Sequence, residues 1–464
     1  LTVVVGFGAL LFTPLVETRS VGLGGLIVVA VAVLLSSSLL PAMLAILGRN
    51  IDRPRGLAKR LAWYHAPLLW EKWARSLHRH PRRALVLGGT AIALLTAPIF
   101  LLQIGLPSRH WWPAATEAGR GLELLEEMGA GGVVLPVRVV VEVPEGQRAA
   151  GAANLRGLRR LSDSLAADPR VEQVRSLVTL RPGLSLLEYS VLYSNREQAR
   201  ADVGGLVDAY LSRDGRVTLL DVVPSDSTTL DEAMGLVRDV RARIGAGVRG
   251  LGDAEVKVGG YVAAALDFQE GVLDRFPLMV ALILAATAVM LAIAFRSVLV
   301  PIKAIVMNSL SVSATFGLIV LVFQHGMGGG FFGLDGPTNA IFVAVPVLVF
   351  AIVFGLSMDY EVFLLSRIRE AYQRTGRNDE ATMEGLSATA SVITSAALIM
   401  ILVFGAFAFA RVLLVQFLGF GLAVAVLLDA TIIRMVLVPA FMQMAGEWNW
   451  WPGGRGGKKR EGAG

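Results

Sequence analysis

The chain has 464 residues, 54% of them hydrophobic, and its mean hydropathy is +0.61. This composition excludes an ordinary soluble protein. The formal net charge of +6 is explained by basic loops facing anionic headgroups, so it indicates membrane lipids rather than nucleic acid as partners. The sequence contains no cysteine, which excludes disulfides and thiol chemistry.

Eight apolar segments are predicted to be membrane helices, because a helix needs about 20 apolar residues to cross a bilayer. These segments are residues 1–15, 22–47, 84–104, 276–295, 299–323, 340–365, 388–410 and 413–444. The first is short, since the sequence begins inside it, at a leucine and without a signal-peptide pattern. We therefore expect this sequence to be the later part of a longer protein.

Basic residues occupy alternate connections between these segments. Residues 48–83 contain ten Lys and Arg, the turn at 295–303 contains Arg296 and Lys303, and residues 366–385 and the C-terminal tail are also basic. By the positive-inside rule, these connections are predicted to face the cytoplasm. The charged segment after the third helix is then extracytoplasmic.

The predicted organisation has six parts. They are residues 1–48, the last two helices of a first membrane half; 49–83, a basic cytoplasmic linker with an amphipathic segment; 84–104, a membrane helix; 105–275, an extracytoplasmic domain; 276–445, a five-helix membrane bundle; and 446–464, a cytoplasmic tail. The "WNWW" run at the start of the tail is predicted to anchor it at the membrane interface.

Strand and helix patterns alternate within the extracytoplasmic segment. The runs "VVLPVRVVVEV", "RVEQVRSLV", "RVTLLDVV" and "AEVKVGGYV" predict four strands. Helices are predicted at "LRGLRRLSDSLA", around residues 196–211, and at "TTLDEAMGLVRDVRARIG", where Thr229 and Glu232 form a capping box. Strand–helix–strand twice over indicates a ferredoxin-like α+β domain.

Two segments about 400 residues apart resemble each other, as in the repeated halves that are common in secondary transporters. "FGALLF" near the N-terminus matches "FGAFAF" near the C-terminus, and "LPAMLAILG" matches "VPAFMQMAG". Gly22 and Gly24 match Gly419 and Gly421 in the same register.

Asp359 follows a long apolar run and is the first candidate functional residue. An ionised carboxylate in a membrane helix costs several kcal/mol and indicates function by default. The alternative is a carboxylate that marks the inner boundary and pairs with Arg367 or Arg369, a role that fits Glu361 better than Asp359. Tyr360 is either a relay partner or a packing residue.

Four further polar residues could support this site, and one of them is Glu361, two positions after Asp359. Asp429 precedes Arg434 in the last helix and is either functional or a structural contact between helices. Thr394 and Ser395 could hydrogen-bond to Asp359, although bonding back to their own helix is the commoner arrangement.

The motifs "FGLSMDYEVFLLSRIREAY", "ATASVITSAALIMILVFGAFAF" and "LGFGLAVAVLLDATIIRMVLVPAFM" resemble the MMPL family of the resistance–nodulation–division (RND) transporter superfamily. The resemblance covers the whole chain. It implies an RND-type helix bundle with a porter domain, and proton-driven export of lipids or other hydrophobic cargo across the bacterial inner membrane. It also implies that Asp359 and Tyr360 relay protons. Compared with the family pattern, this sequence lacks four helices, one porter domain and the first Asp-Tyr pair. We therefore expect transport to need an N-terminal half.

Other functions are less well supported by the motifs. No HExxH, nucleophile elbow or catalytic triad spacing is found, and "PGGRGGKKR" lacks the first Gly and the Ser/Thr of a P-loop, so no enzyme, cofactor, metal or ATP site is predicted. An intramembrane aspartyl protease using Asp359 and Asp429 predicts a Gly-x-Gly-Asp motif that Asp429 lacks. The remaining alternative is a non-exporting accessory or lipid-sensing relative, for example a secretion helper.

Overall fold

The computed structural model describes residues 2–12, 16–48, 67–105, 116–225, 228–334 and 336–453. Most of the predicted basic linker, and the end of the predicted tail, lie outside the described residues. The chain forms two compact units, Leu1–Ile104 with Gly271–Gly464, and Gly105–Glu270. The first unit is called the helical unit below and the second the porter-like domain.

The elements follow one another in this order. The helices are α1 (Thr2–Leu10), α2 (Val16–Leu47), α3 (Pro67–Arg79), α4 (Pro81–Thr96), α5 (Glu117–Glu127), α6 (Ala152–Ala166), α7 (Leu186–Leu192), α8 (Arg196–Val203), α9 (Leu206–Tyr210), α10 (Leu230–Gly245), α11 (Tyr261–Phe295), α12 (Leu299–Ile319), α13 (Ala344–Thr375), α14 (Asn378–Phe407), α15 (Leu413–Leu428) and α16 (Val438–Ala445). The strands are β1 (Val137–Glu142), β2 (Val171–Arg175), β3 (Val217–Pro224) and β4 (Glu255–Gly259). Two π-helical segments, Val320–Gln324 and Asp429–Leu437, follow α12 and α15.

Within the described ranges, seven helical segments are long and apolar enough to cross a membrane. They are Thr18–Leu47, Pro81–Leu101, Tyr261–Phe295, Leu299–Gln324, Ala344–Thr375, Asn378–Phe407 and Leu413–Trp450. They correspond to seven of the eight predicted spans. The first predicted span appears as α1, whose nine residues are too few to cross a bilayer.

The porter-like domain has the predicted ferredoxin-like topology. Its sheet has the strand order β2-β3-β1-β4, with all neighbours antiparallel. Val137, Val139 and Val141 alternate on the buried face of β1, and Leu155, Leu158 and Leu165 of α6 are equally buried. The alternation in β1 and the helical spacing in α6 each place apolar residues on one face, as expected for a half-buried sheet covered by helices.

Local chemistry explains where the domain's helices begin and end. The capping box predicted at Thr229 and Glu232 is formed at the start of α10. The helix predicted around residues 196–211 is instead two helices, α8 and α9. Gly204 separates them with a φ of +67°, a left-handed conformation that glycine adopts without strain.

Helix α13 is the central helix of the helical unit and packs against α1, α12, α14 and α15. The first repeated glycine of each copy, Gly22 or Gly419, lies at a close helix contact. A Cβ at Gly22 would lie 3.0 Å from Leu10 Cβ, and a Cβ at Gly419 would lie 2.5 Å from Phe407 Cβ. These two contacts occupy the same register of the repeat, so the sequence similarity extends to the packing of two helical hairpins.

The start of the predicted tail folds back onto the helical unit. Trp450 is buried, donates a hydrogen bond from Nε1 to Asn378 Oδ1 at 3.2 Å, and stacks on Tyr372. The prediction that "WNWW" anchors the tail at the interface is therefore wrong for Trp450, whereas Trp448 and Trp451 are exposed.

Candidate functional site

Helix α13 carries Ser357, Asp359, Tyr360 and Glu361 within little more than one turn. Ser357 and Glu361 are four residues apart, so they lie on one face of the helix, and both are buried. Asp359 lies on another face and is exposed. The motif therefore presents polar groups both to the interior of the helical unit and to its surface.

Asp359 opens onto a cleft of about 480 Å³. The other residues that line this cleft are Val3, Val29, Ala32, Val33, Ser36 and Ser37. The walls therefore come from α1 and α2 and are apolar except for two serine hydroxyls. Arg367, one of the two predicted partners of Asp359, pairs with Glu370 instead, and Arg369 donates to the backbone oxygen of Ala294.

Asp429 and Arg434 form a buried ion pair. Arg434 Nε donates to Asp429 Oδ2 at 2.9 Å, and both side chains are at most 5% exposed. The two are five positions apart, which in an α-helix would place them on different faces. They meet because Asp429–Leu437 is π-helical, with more residues in each turn.

Ser357 joins this ion pair to α12. Its Oγ lies 2.7 Å from Asp429 Oδ2 and 2.8 Å from Asn308 Oδ1. Because a hydroxyl has one proton, it donates to one of these oxygens at a time. Arg434 Nη2 donates to the Ser357 backbone oxygen and to its Oγ.

Tyr360 lies between this buried network and α14. The Arg434 guanidinium carbon is 5.4 Å from the Tyr360 ring centroid, which is a cation–π distance. The Tyr360 hydroxyl donates to Met400 Sδ at 3.0 Å. A small cavity lined by Ser357, Tyr360 and Asp429, with apolar residues of α14 and α15, has about 10 Å³ of room for a water's centre, enough for one molecule.

Glu361 pairs with Lys303 of α12 at 3.4 Å, and both are almost completely buried. This corrects two predictions. The basic partner of Glu361 is not Arg367 or Arg369, and Lys303 is not a residue of a basic turn but lies inside α12. Lys303 turns inward because α12 already begins at Leu299, which places Lys303 in its second turn facing α13.

The two hydroxyl residues predicted as possible partners of Asp359 bond to their own helix. Thr394 Oγ1 donates to the Ala390 backbone oxygen at 2.7 Å, and Ser395 Oγ donates to the Ser391 backbone oxygen at 2.6 Å. Sequence reasoning missed Lys303, Asn308 and Ser357, although a lysine and an asparagine five residues apart in an apolar segment were a usable signal.

The sequence profile of the MMPL family matches residues 1–84 and 111–462. The chain belongs to the MMPL family. With its apolar helical spans, membership makes it a multi-pass protein of the bacterial cell membrane with the RND-type transporter fold. The predicted family and fold class are thereby confirmed.

Several curated MMPL proteins are similar to this chain. The mycolic acid-containing lipids exporter MmpL11 of Mycolicibacterium smegmatis is 34% identical over 93% of this chain and 42% of its own length. The heme uptake protein MmpL11 of Mycobacterium tuberculosis is 34% identical over 93% of this chain and 41% of its own length. The trehalose monomycolate exporter MmpL3 of M. tuberculosis is 30% identical over 97% and 47%. The chain thus spans less than half the length of these relatives.

A solved structure shares the fold of this MMPL chain. The hedgehog release protein Disp from the water bear Hypsibius dujardini superimposes with a TM-score of 0.55 at 13% identity, over 96% of this chain and 57% of that one. This similarity concerns the fold alone.

Proposed function

We propose that this chain is part of an exporter that uses the proton gradient to move lipids or other hydrophobic molecules across the bacterial inner membrane. One observation carries the proposal. Asp359, exposed in the cleft, is the direct neighbour of Tyr360, whose ring contacts Arg434 of the buried network. The neighbouring residues thus connect a carboxylate open to proton uptake with charged groups in the interior. The names of two relatives, each a lipid exporter, support the cargo class.

The physical basis for coupling is the cost of placing charge among apolar helices. When Asp359 is ionised, its surroundings must stay hydrated, whereas the protonated form tolerates an apolar wall. Protonation therefore changes which packing of α1, α2 and α13 is favoured. A proton crossing 100 mV supplies about 2.3 kcal/mol for this change.

The arrangement favours transport over catalysis. An aspartyl protease needs two carboxylates that share a proton. Here Asp429 is engaged with Arg434 and Ser357 inside the helical unit, while Asp359 lies on another face of α13, in the cleft. The pair is therefore not set up to activate one water.

We further propose that export needs an upstream half, because the relatives are more than twice as long as the aligned region. The 464-residue chain alone is then expected to insert into membranes without exporting lipid, and the protein extended by its upstream half is expected to export. Export by the short chain alone, for instance as a homodimer, would contradict this part of the proposal.

The decisive experiment replaces Asp359 by Asn in the extended protein, reconstituted in vesicles with a proton gradient. Asn has nearly the same shape but cannot change charge, so lipid export should fall to background while the melting temperature stays near wild type. Glu370→Gln is the matched control, because Glu370 is an exposed carboxylate of the same helix and should be dispensable. Retained export with a lowered melting temperature would make Asp359 a structural residue, and a sensing or accessory role would then be favoured.

A further inference from the structure

A column of polar side chains runs through the interior of the helical unit between α12, α13 and the π-helical segment. All of its members are at most 3% exposed. They are Lys303, Asn308, Ser311, Glu361, Asp429 and Arg434. From Lys303 to Ser311 the column extends about 12 Å along α12, at 1.5 Å per residue. We call it the polar column.

The polar column contains more hydrogen-bonding capacity than the protein itself satisfies. One buried atom in each member has no hydrogen-bond partner: Lys303 Nζ, Asn308 Nδ2, Ser311 Oγ, Glu361 Oε1, Asp429 Oδ1 and Arg434 Nη1. Elsewhere in the described parts of the chain, the same is true only of His78 Nδ1 and Gln443 Oε1. Folded proteins leave very few buried polar groups unpaired, so six in one column need a common explanation.

Neither an Asn308 amide flip nor the Lys303–Glu361 contact removes the deficit. Turning the Asn308 amide over would give its nitrogen a partner in Ser357 but would leave its oxygen unpaired instead. Lys303 and Glu361 are already in contact at 3.4 Å, yet neither Nζ nor Oε1 is aligned for a hydrogen bond. The column needs small molecules that both donate and accept.

Water meets this requirement. The unpaired set mixes donors (the Lys, Asn and Arg nitrogens), acceptors (the two carboxylate oxygens) and a hydroxyl, and a buried water typically makes about three hydrogen bonds. A second observation is the small cavity beside Ser357 and Asp429, which has room for one water. Hydration of this side of the ion pair is therefore sterically possible.

We propose that the polar column binds a row of internal waters that connects Ser311, Asn308 and Asp429 with the Lys303–Glu361 pair. Asn308 and Ser311 are positioning residues, because they hold waters rather than exchange protons. Nothing in the "SMDYE" motif alone indicates this site.

The role of the row rests on the proposed proton coupling. Each water accepts a proton from one neighbour and passes another to the next, so one proton enters at one end for each that leaves at the other. The row gives protons a path through the interior toward Glu361, near the middle of α13. The path runs in the interior and meets the cleft residue Asp359 through its neighbour Tyr360, whose ring contacts Arg434.

The first test measures hydration without requiring transport. Ser311→Ala removes a hydroxyl that the proposal pairs with water, so the melting temperature of the purified chain in detergent should fall. Thr315→Val is the matched control, because Thr315 is equally buried one turn away and donates to the Ser311 backbone oxygen at 2.9 Å. It should change the melting temperature less. An unchanged or raised melting temperature for Ser311→Ala would overturn the proposal, since removing an unpaired buried hydroxyl from a dry site stabilises a protein.

The second test measures proton flux in vesicles containing the extended protein and a pH-sensitive dye. Ser311→Ala should slow the flux about tenfold, the factor expected for one lost hydrogen bond in the row, while Thr315→Val should not. Equal flux in the two variants would refute the path. If the wild type itself shows no flux, the proposed function fails, and the melting temperatures still decide whether the column is hydrated.

Discussion

Arg434 lies over the ring of Tyr360, 5.4 Å from the centroid, while its Nε holds Asp429 at 2.9 Å. One cation thus contacts both the motif on α13 and the acid on the π-helical segment. Because the ion pair is buried, it contributes to the stability of the fold only while both partners are present.

We expect Asp429→Asn to lower the free energy of unfolding by about 3–5 kcal/mol, because it leaves the buried Arg434 uncompensated. The double variant Asp429→Asn, Arg434→Gln should recover most of this loss, since no charge is stranded. Unfolding in detergent of both single variants and the double variant gives the coupling energy. Additive losses would show that the two residues do not act as a pair.

Close backbone packing between α4 and α12 depends on Gly317. A Cβ at this position would lie 2.0 Å from the Leu95 backbone oxygen, so Gly317→Ala must push the helices apart and should destabilise by about 1–3 kcal/mol. Gly89→Ala is the control, because a Cβ there meets nothing within 4 Å. In a helix interior that change should be neutral or stabilising by up to about 1 kcal/mol. Similar melting temperatures for the two variants would argue against the contact.

Membrane orientation can be read from single introduced cysteines, because these 464 residues contain no cysteine. Ser164 on α6 and Ser76 on α3 are both exposed. In spheroplasts, Ser164→Cys should react with an impermeant thiol reagent, and Ser76→Cys should react only after the cells are broken. Labelling of Ser76→Cys in intact spheroplasts would reverse the orientation drawn from the basic connections.

The porter-like domain should lose stability in acid through Asp168. Hydrogen bonds from Arg170 lower the pKa of this buried carboxyl from 3.8 to about 2. Because the folded pKa is the lower one, the stabilisation is complete above about pH 4 and is lost as the pH falls toward 2, an effect of about 2–3 kcal/mol. The protection of β2 and α10 amides against hydrogen exchange, corrected for the intrinsic exchange rate at each pH, should therefore fall over that range in the whole chain. Asp168→Asn should remove this pH dependence and exchange fast already at neutral pH.

Much of the fold could be predicted because it depends on local patterns. Apolar runs of membrane length predicted the membrane spans. Period-two alternation bounded by turn residues predicted the ferredoxin-like sheet. Asp359 could be singled out because a carboxylate is costly among apolar residues, whichever neighbours it has. The partners of Asp359 were harder to predict, because they depend on which faces of separate helices meet.

Two ion pairs of the site could not be predicted from the sequence, for physical reasons. A lysine near the edge of an apolar run looks like a loop residue, and only the register of α12 against α13 brings Lys303 to Glu361. Asp429 and Arg434 are spaced for opposite faces of an α-helix, and no sequence signal marks the π-helical turn that brings them together. Trp450 is buried for a similar reason, because a tertiary fold-back places it.

The fold-back of the chain end also sets an order of events during synthesis. The corner between α11 and α12 is completed by Ser297 Oγ donating to the Asn449 backbone oxygen and by Val298 N donating to that of Trp451. The first of these partners, Asn449, is made 152 residues after Ser297. At about 5–20 residues per second, the ribosome needs roughly 8–30 s to deliver it. During that interval the earlier helices can be inserted into the membrane. The corner between α11 and α12 is completed only after Asn449 and Trp451 have been synthesised.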